Sequence, residues 1–383
     1  MTGRFAGSFS TPDNLVRENH ASMRISNIPS EAQKTHLAAW LKQAGYELAY
    51  GGKIHLPRPL NPQTLGFNYI EKDQRKKLAE ACADFIKKPH QRPYFLWANF
   101  INPHDICFAH LARNGTDRQN VLALHRQACS LAPDKLPPLP ENYGIPQNEP
   151  AAIEANLSPK AVTPAITMRK EYDERAWRIN RWIYHRLTEK VDRHIGKILD
   201  GLRNAGLADN TLIIFTSDHG NMDASHRLAS KGLMYEESVG VPLLIKYKGA
   251  IAAGKTDRTH LVSTGLDILP TICDYAGVRK PGHLLGRSLR PLAEGKRVRQ
   301  WRRYVASENG WSRMIRTPRY KYCAYSAAYG NESLVDMEND PGEMRNLVDV
   351  PQFRDVLSEH RKLLAEWVEI SKDGKGSQYL KNG

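Results

Sequence analysis

Apolar residues recur along this chain in two alternating rhythms. In THLAAWLKQAG, Leu37, Leu41 and Ala44 share one helical face and Gly45 marks the stop. YELAY follows as a short strand, and GGKIHL leaves it as a loop. The spacing predicts a second helix near Asp73 to Lys88, with Leu78, Cys82, Phe85 and Ile86 inward. PYFLWANF is then an apolar run of strand length, expected to be buried, and it ends in INPHD. Helix, buried strand and polar loop thus occur twice, the pattern of a parallel α/β sheet.

From Leu131 to Pro164 the rhythm stops. Eight prolines and few apolar clusters predict a long extended excursion over the surface. A long helix resumes with Ile183, Leu187, Val191, Ile195, Ile198 and Leu202 on one face, closed by Gly206. TLIIFT is a buried strand with SDHG at its carboxyl end, VPLLIKY is another strand, and Asp267 to Ala276 forms a helix ended by Gly277. Beyond Leu292 the style changes to short β-like runs (RYVASE, KYCAYS, SLVDME) and an amphipathic helix near Phe353 to Val368. The expected division is therefore 1–292 as a catalytic α/β domain and 293–383 as a smaller antiparallel subdomain with a helix.

Composition adds little to the fold and more to the partner. The 55 basic and 41 acidic residues give a net charge of +14, a field that favours sulfated or phosphorylated partners. The densest basic run, KRVRQWRRY at Lys296 to Tyr304, sits in no nucleic-acid-binding module, so it reads as a solvated linker and no nucleic-acid partner is expected. No run approaches the roughly 20 apolar residues of a membrane helix, so no membrane partner is expected either. Five scattered cysteines without C-x-x-C spacing suggest neither a disulfide framework nor a zinc knuckle.

Ligands of open α/β sheets gather at the carboxyl ends of strands. Those ends here supply Lys53 and His55, then His104 and Asp105, then Asp218 and His219, followed by Asp223, His226 and Lys231. Singly, each has an ordinary structural explanation as a hydrogen-bonded histidine, a loop lysine or a turn aspartate. Together on one rim they make a cationic pocket around an acidic metal position, suited to a tetrahedral oxyanion ester. A divalent cation at Asp218 would polarise a sulfuryl or phosphoryl oxygen, lysines would neutralise the others, and a histidine would handle the proton. Two protein ligands are too few for a hard cation, so further carboxylates are expected from elsewhere.

The order of these motifs resembles the type I sulfatase family of the alkaline-phosphatase-like superfamily. The resemblance rests on TGR at Thr2 to Arg4, AGYELAYGGKIHL, FINPHD, LADNTLIIFTSDHG, SHRLASKGLMYEESVGVPLLI and LVDMENDPGEMRNLV, and it covers nearly the whole chain. It implies a mostly parallel central sheet flanked by helices, with a smaller C-terminal antiparallel β subdomain plus helix. It implies a sulfuric ester hydrolase acting on a sulfated small molecule or glycan. By the resemblance, Lys53 and His55 correspond to a sulfate-binding lysine and a nucleophile-side histidine. His104 corresponds to the histidine contacting the sulfate and leaving oxygen, and Lys231 to the lysine bridging the two. Asp218 and His219 match a pair of metal ligands, usually for calcium, and His226 sits where the family often has a pocket histidine that binds substrate.

The sequence departs from the family at three points. Ile54 replaces a common Trp, without consequence for the chemistry, and His219 replaces Asn, which keeps a softer metal open. More seriously, the family nucleophile is a formylglycine made within C-x-P-S-R just before TGR, and the cysteines here read CADFI, CFAHL, CSLAP, CDYAG and CAYSA. The chain is therefore expected to lack its first strand, its nucleophile and two metal carboxylates, to begin just past the nucleophile segment, and to be inactive alone. A phosphodiesterase or phosphonate hydrolase of the same superfamily and a non-catalytic polyanion-binding protein stand as alternatives.

Overall fold

The protein is described here as a computed structural model, covering residues 36–55, 61–110, 119–156, 165–279, 282, 284–326 and 331–381. The TGR segment at Thr2 to Arg4 lies outside these residues. Helix α1 (Leu37–Gln43) starts where the His36 ring accepts from the Ala39 N–H, and it ends at Gly45, whose φ is +84°. Strand β1 (Glu47–Gly52) is the centre of a parallel sheet, with β2 (Asn68–Glu71) on one edge and β3 (Tyr94–Asn99) on the other. The strand continues through Gly51 and Gly52, which the sequence reading assigned to the loop. Both glycines have a packing reason: a Cβ on Gly52 would lie 2.1 Å from the Asn99 carbonyl oxygen. Helix α2 (Leu78–Lys87) makes the crossover, starting later than expected because Asp73 is held in a turn by the Arg75 and Lys76 amides.

The 31-residue helix α3 (Glu174–Asn204) is capped by Asp173 and buries Trp177, Ile183, Leu187 and Leu202. Its arginines correct the picture of the proline-rich excursion. Arg175 donates to the carbonyls of Cys129 and Leu131, Arg178 to Pro133, Leu136 and Pro137, and Arg181 to Pro138. Prolines leave the segment short of amides but rich in acceptors, and the guanidinium groups satisfy them. The excursion even turns into a short helix, Ala151–Asn156, that buries Ala152 and Ile153.

Strand β4 (Ile213–Thr216) pairs antiparallel with β5 (Leu243–Lys246), the chain reversing through the short helix α4 (Glu236–Val239). Helix α5 (Thr264–Tyr275) follows. Both β3 and β4 were expected to be buried. Instead every residue of β3 is half-buried and Phe215 of β4 is exposed, although β1, the neighbour of β3, is almost wholly buried. The edge of β3 away from β1 and the edge of β4 away from β5 both open on one cavity of about 3350 Å³, and among the described residues no strand stands between them.

The C-terminal part is an antiparallel meander of β6 (Val305–Glu308), β7 (Ser312–Arg316), β8 (Tyr320–Tyr325) and β9 (Glu332–Asp336). Alternation gives it two apolar faces. One, with Ile315, Tyr322 and Leu334, is covered by Leu357, Leu363, Leu364 and Trp367 of helix α6 (Arg354–Ser371). The other, with Met314, Cys323 and Tyr325, packs on Met222, Leu228 and Leu233. The core thus runs continuously from the meander to the loops that follow β4. No helix of the described residues is long and apolar enough to cross a membrane.

Candidate active site

The ends of β1 and β4 meet. Lys53, the first residue after β1, places its ammonium 2.9 Å from Asp218 Oδ2, two residues beyond β4. The backbone at Lys53 is fixed on both sides: its N–H donates to Asn99 O at 2.8 Å, and its carbonyl accepts from Tyr50 OH at 2.5 Å. Because these ends meet, β1, β3 and β4 all point their carboxyl termini at one rim. Lys53, His55, His104, Asp218, His219 and Lys231 line the same cavity there.

His104 opens a tight 3₁₀ turn, His104–Phe108, anchored from behind by its neighbour. Asp105 is buried and takes a bidentate pair of hydrogen bonds from Arg75, at 2.8 and 2.6 Å. Asp105 is therefore an anchor for the loop, facing away from the rim. Burial, then the Lys231 and Lys53 ammonium groups, push the His104 imidazole down to about 4, against a weaker pull from Asp105. His104 is neutral at neutral pH. Burial also lowers the Lys231 ammonium, with Lys53 adding to the effect and the Cys107 thiol and Asp218 opposing it.

Burial would raise the Asp218 carboxyl, but His219 and Lys53 outweigh it and hold the group at about 2. The Nδ1 of His219 lies 2.8 Å from the Gly220 carbonyl, and its Nε2 lies 3.7 Å from Asp218 Oδ2. A proton on Nδ1 shared with that carbonyl leaves the Nε2 lone pair outward, the orientation of a metal-binding imidazole. Carboxylate and imidazole are within reach of one ion, yet two donors do not satisfy a hard divalent cation, and among the described residues no group of three or more metal-binding side chains occurs.

Two expected residues are not at the rim. His226 is fully buried with left-handed backbone at φ 55°, so its ring turns inward and stacks on Tyr235 at 4.0 Å. Its Nε2 lies 3.7 Å from Glu237 and 3.4 Å from the Asn142 amide. Asp223 is held by Arg181 at 3.1 Å.

Sequence reasoning missed the supports of the two lysine-side loops. Ser238 of α4 accepts the Gly220 amide on its carbonyl at 2.8 Å and the Gly232 amide on its hydroxyl at 3.2 Å. Asn309, in the β6–β7 turn, donates to the Gly232 carbonyl at 2.9 Å. A four-residue helix is too short to show a period, so only the motif order hinted that EESV mattered.

These features define an α/β fold with a cationic cleft at the carboxyl ends of its strands. The Sulfatase family profile matches residues 5–278, and a profile described as N-sulphoglucosamine sulphohydrolase, C-terminal, matches residues 224–369. The chain belongs to the sulfatase family, whose members are sulfuric ester hydrolases on the alkaline-phosphatase-like fold. It is 29% identical over 388 residues to a Delta 4,5-hexuronate-2-O-sulfatase of Bacteroides thetaiotaomicron, across 94% of this chain and 76% of that one. It is 32% identical to an arylsulfatase of Clostridium perfringens over 52% of this chain and 42% of that protein. The solved structure of a 2-O GAG sulfatase superposes with a TM-score of 0.79 at 26% identity, covering 100% of this chain and 82% of that one.

Proposed function

We propose that the chain supplies the anion-binding half of a sulfatase site and that its substrate is a sulfate ester on an anionic sugar. The observation that carries this reading is the convergence of Lys53, Lys231 and a neutral His104 at one rim beside Asp218. Lys53 and Lys231 would neutralise the non-bridging oxygens of a bound sulfate. A sulfate between the lysines would offset their charge and raise the proton affinity of His104, readying the imidazole to protonate the leaving oxygen. Asp218 and His219 would be two ligands of a calcium ion, which would polarise a sulfate oxygen when bound. The formylglycine nucleophile and the further carboxylates would arrive on another strand. Two observations support that division: no cysteine of the chain is followed by x-Pro-Ser-Arg, and the edges of β3 and β4 open on one cavity.

The similarity to a hexuronate 2-O-sulfatase and the net charge of +14 both support a sulfated uronate as the sugar. The purified chain, incubated with 4-nitrophenyl sulfate and with a 2-O-sulfated uronate disaccharide, is expected to release no sulfate. It is expected to bind the disaccharide saturably, and Lys53→Ala with Lys231→Ala to weaken that binding at least about tenfold. Sulfate release by the chain alone would refute the division of the site. Binding unchanged in the double variant would move the anion site elsewhere on the surface.

A further inference from the structure

We propose that the basic stretch around Trp301 is a second anion-binding surface, which holds a sulfated polysaccharide chain outside the pocket of Lys53 and Lys231. The surface itself stands on local geometry; the choice of a sulfated glycan as its occupant rests on the reading of that pocket. Residues 255–260 and 287–303 carry nine lysines and arginines against two acidic residues, half of the chain's net charge of +14. The run expected to be a solvated linker is pinned in place. The Trp301 indole N–H donates to the Leu261 carbonyl at 2.7 Å, and its ring meets the His260 ring edge-on at 5.7 Å. Arg287 and Arg302 both lie over the indole, 5.6 and 5.3 Å from its centre. Arg302 is also locked to Asp267 of α5, which is fully buried and accepts the Arg287 amide at 2.8 Å. The 257–261 loop, Arg287 and the run before β6 thus converge on one indole.

The cations here divide into two sets. Lys296, Arg302 and Arg303 pair with Glu294, Asp267 and Glu366, and so anchor the backbone. Lys255, Arg258, Arg287, Arg297 and Arg299 are exposed, and among the described residues none has a carboxylate within ion-pair distance. Like charges gathered without partners repel one another, a cost that a bound polyanion removes. Guanidinium forks fit the oxygens of a sulfate as they fit those of a carboxylate or phosphate. None of these side chains lines the cavity that holds Lys53 and Lys231. A nucleic acid fits less well. The Trp301 ring is taken by two guanidinium groups and a histidine, so it offers no platform for a stacked base. Residues 296–303 form no helix or strand that could enter a groove.

Titration of the whole chain with a heparin decasaccharide and with the 2-O-sulfated disaccharide, at about 0.15 M salt, tests this. Arg258→Ser with Arg297→Ser and Arg299→Ser is expected to weaken decasaccharide binding at least about tenfold and to leave the disaccharide unchanged. A control of equal charge, Arg126→Ser with Lys170→Ser and Arg354→Ser, is expected to stay within about twofold of the wild type. All six side chains are exposed, so both triple variants are expected to keep the wild-type urea midpoint. Equal losses in the two triple variants would reduce the effect to net charge and overturn the proposal. So would a matching loss for the disaccharide, which would merge the surface with the pocket. A DNA duplex of equal charge bound as tightly as the decasaccharide would overturn the assignment to a glycan. Failure of the pocket reads separately: disaccharide binding would then ignore Lys53→Ala with Lys231→Ala, while the decasaccharide would still distinguish the two triple variants.

Discussion

His104 carries the clearest consequence of gathering positive charge at one rim. Its imidazole is held at about 4 in the folded protein against 6.5 when exposed, so the unfolded chain binds the proton more readily. The associated stability is complete above about pH 6.5 and is lost as pH falls toward 4. Asp218 follows the opposite chemistry in a separate window: held at about 2, it contributes above its ordinary 3.8 and fails only below. The urea midpoint is therefore expected to fall between pH 7 and pH 5, and to fall less in His104→Gln. A partial slope remains in the variant, because His36, His219 and His360 are also lowered by burial. Equal falls in the two proteins would remove His104 from the account. At this scale the sequence was readable wherever a polar residue stood just past a strand: Lys53, Asp218 and His219 lie within three residues of one. It could not show the burial of His226, where a left-handed backbone turns the side chain inward.

The elements were legible where a period ran long enough to show, as in α3, and where glycine punctuated a helix, as after α1 and α3. They were hidden where the cause was contact. β7 is such a case: SRMIR carries two arginines, yet Arg313 is buried by its pair with Asp373 at 2.6 Å and its bond to the Asn309 carbonyl. Gly52 is another, a strand residue with loop-like composition. Its φ is +89° and a Cβ would collide with the backbone of β3, whereas Gly45 has φ +84° with nothing within 4 Å. The two therefore share the cost of left-handed backbone, about 1–2 kcal/mol, and differ only in the collision. Gly45→Ala is expected to cost about that much in a urea melt. Gly52→Ala is expected to cost at least about 2 kcal/mol more and to displace the loop bearing Lys53. Similar losses for both would mean that β1 and β3 can separate without penalty.

Across the whole molecule, one buried lysine of the C-terminal meander bears on the helix that supports the site loops. Lys321 of β8 is 2% exposed, with its ammonium 2.5 Å from Glu343 and 3.2 Å from Glu236. Glu343 also accepts the Glu236 N–H at 2.6 Å, so it holds the start of α4, the helix whose Ser238 receives the Gly220 and Gly232 amides. A buried carboxylate that loses its partner costs about 3–5 kcal/mol, whereas removing both charges together often costs little. Glu236 has an escape, since its side chain is partly exposed and Arg316 lies 3.8 Å away. Lys321→Met is therefore expected to destabilise by about 3 kcal/mol, near the lower end of that range. Adding Glu343→Gln, which keeps an acceptor for the Glu236 amide, is expected to restore more than half of the loss. If the lysine serves only the meander, amide exchange at Gly220 and Gly232 will match the wild type in the single variant. If it holds the site loops through α4, those two amides will exchange faster in Lys321→Met and slow again in the double variant, and that is the outcome expected.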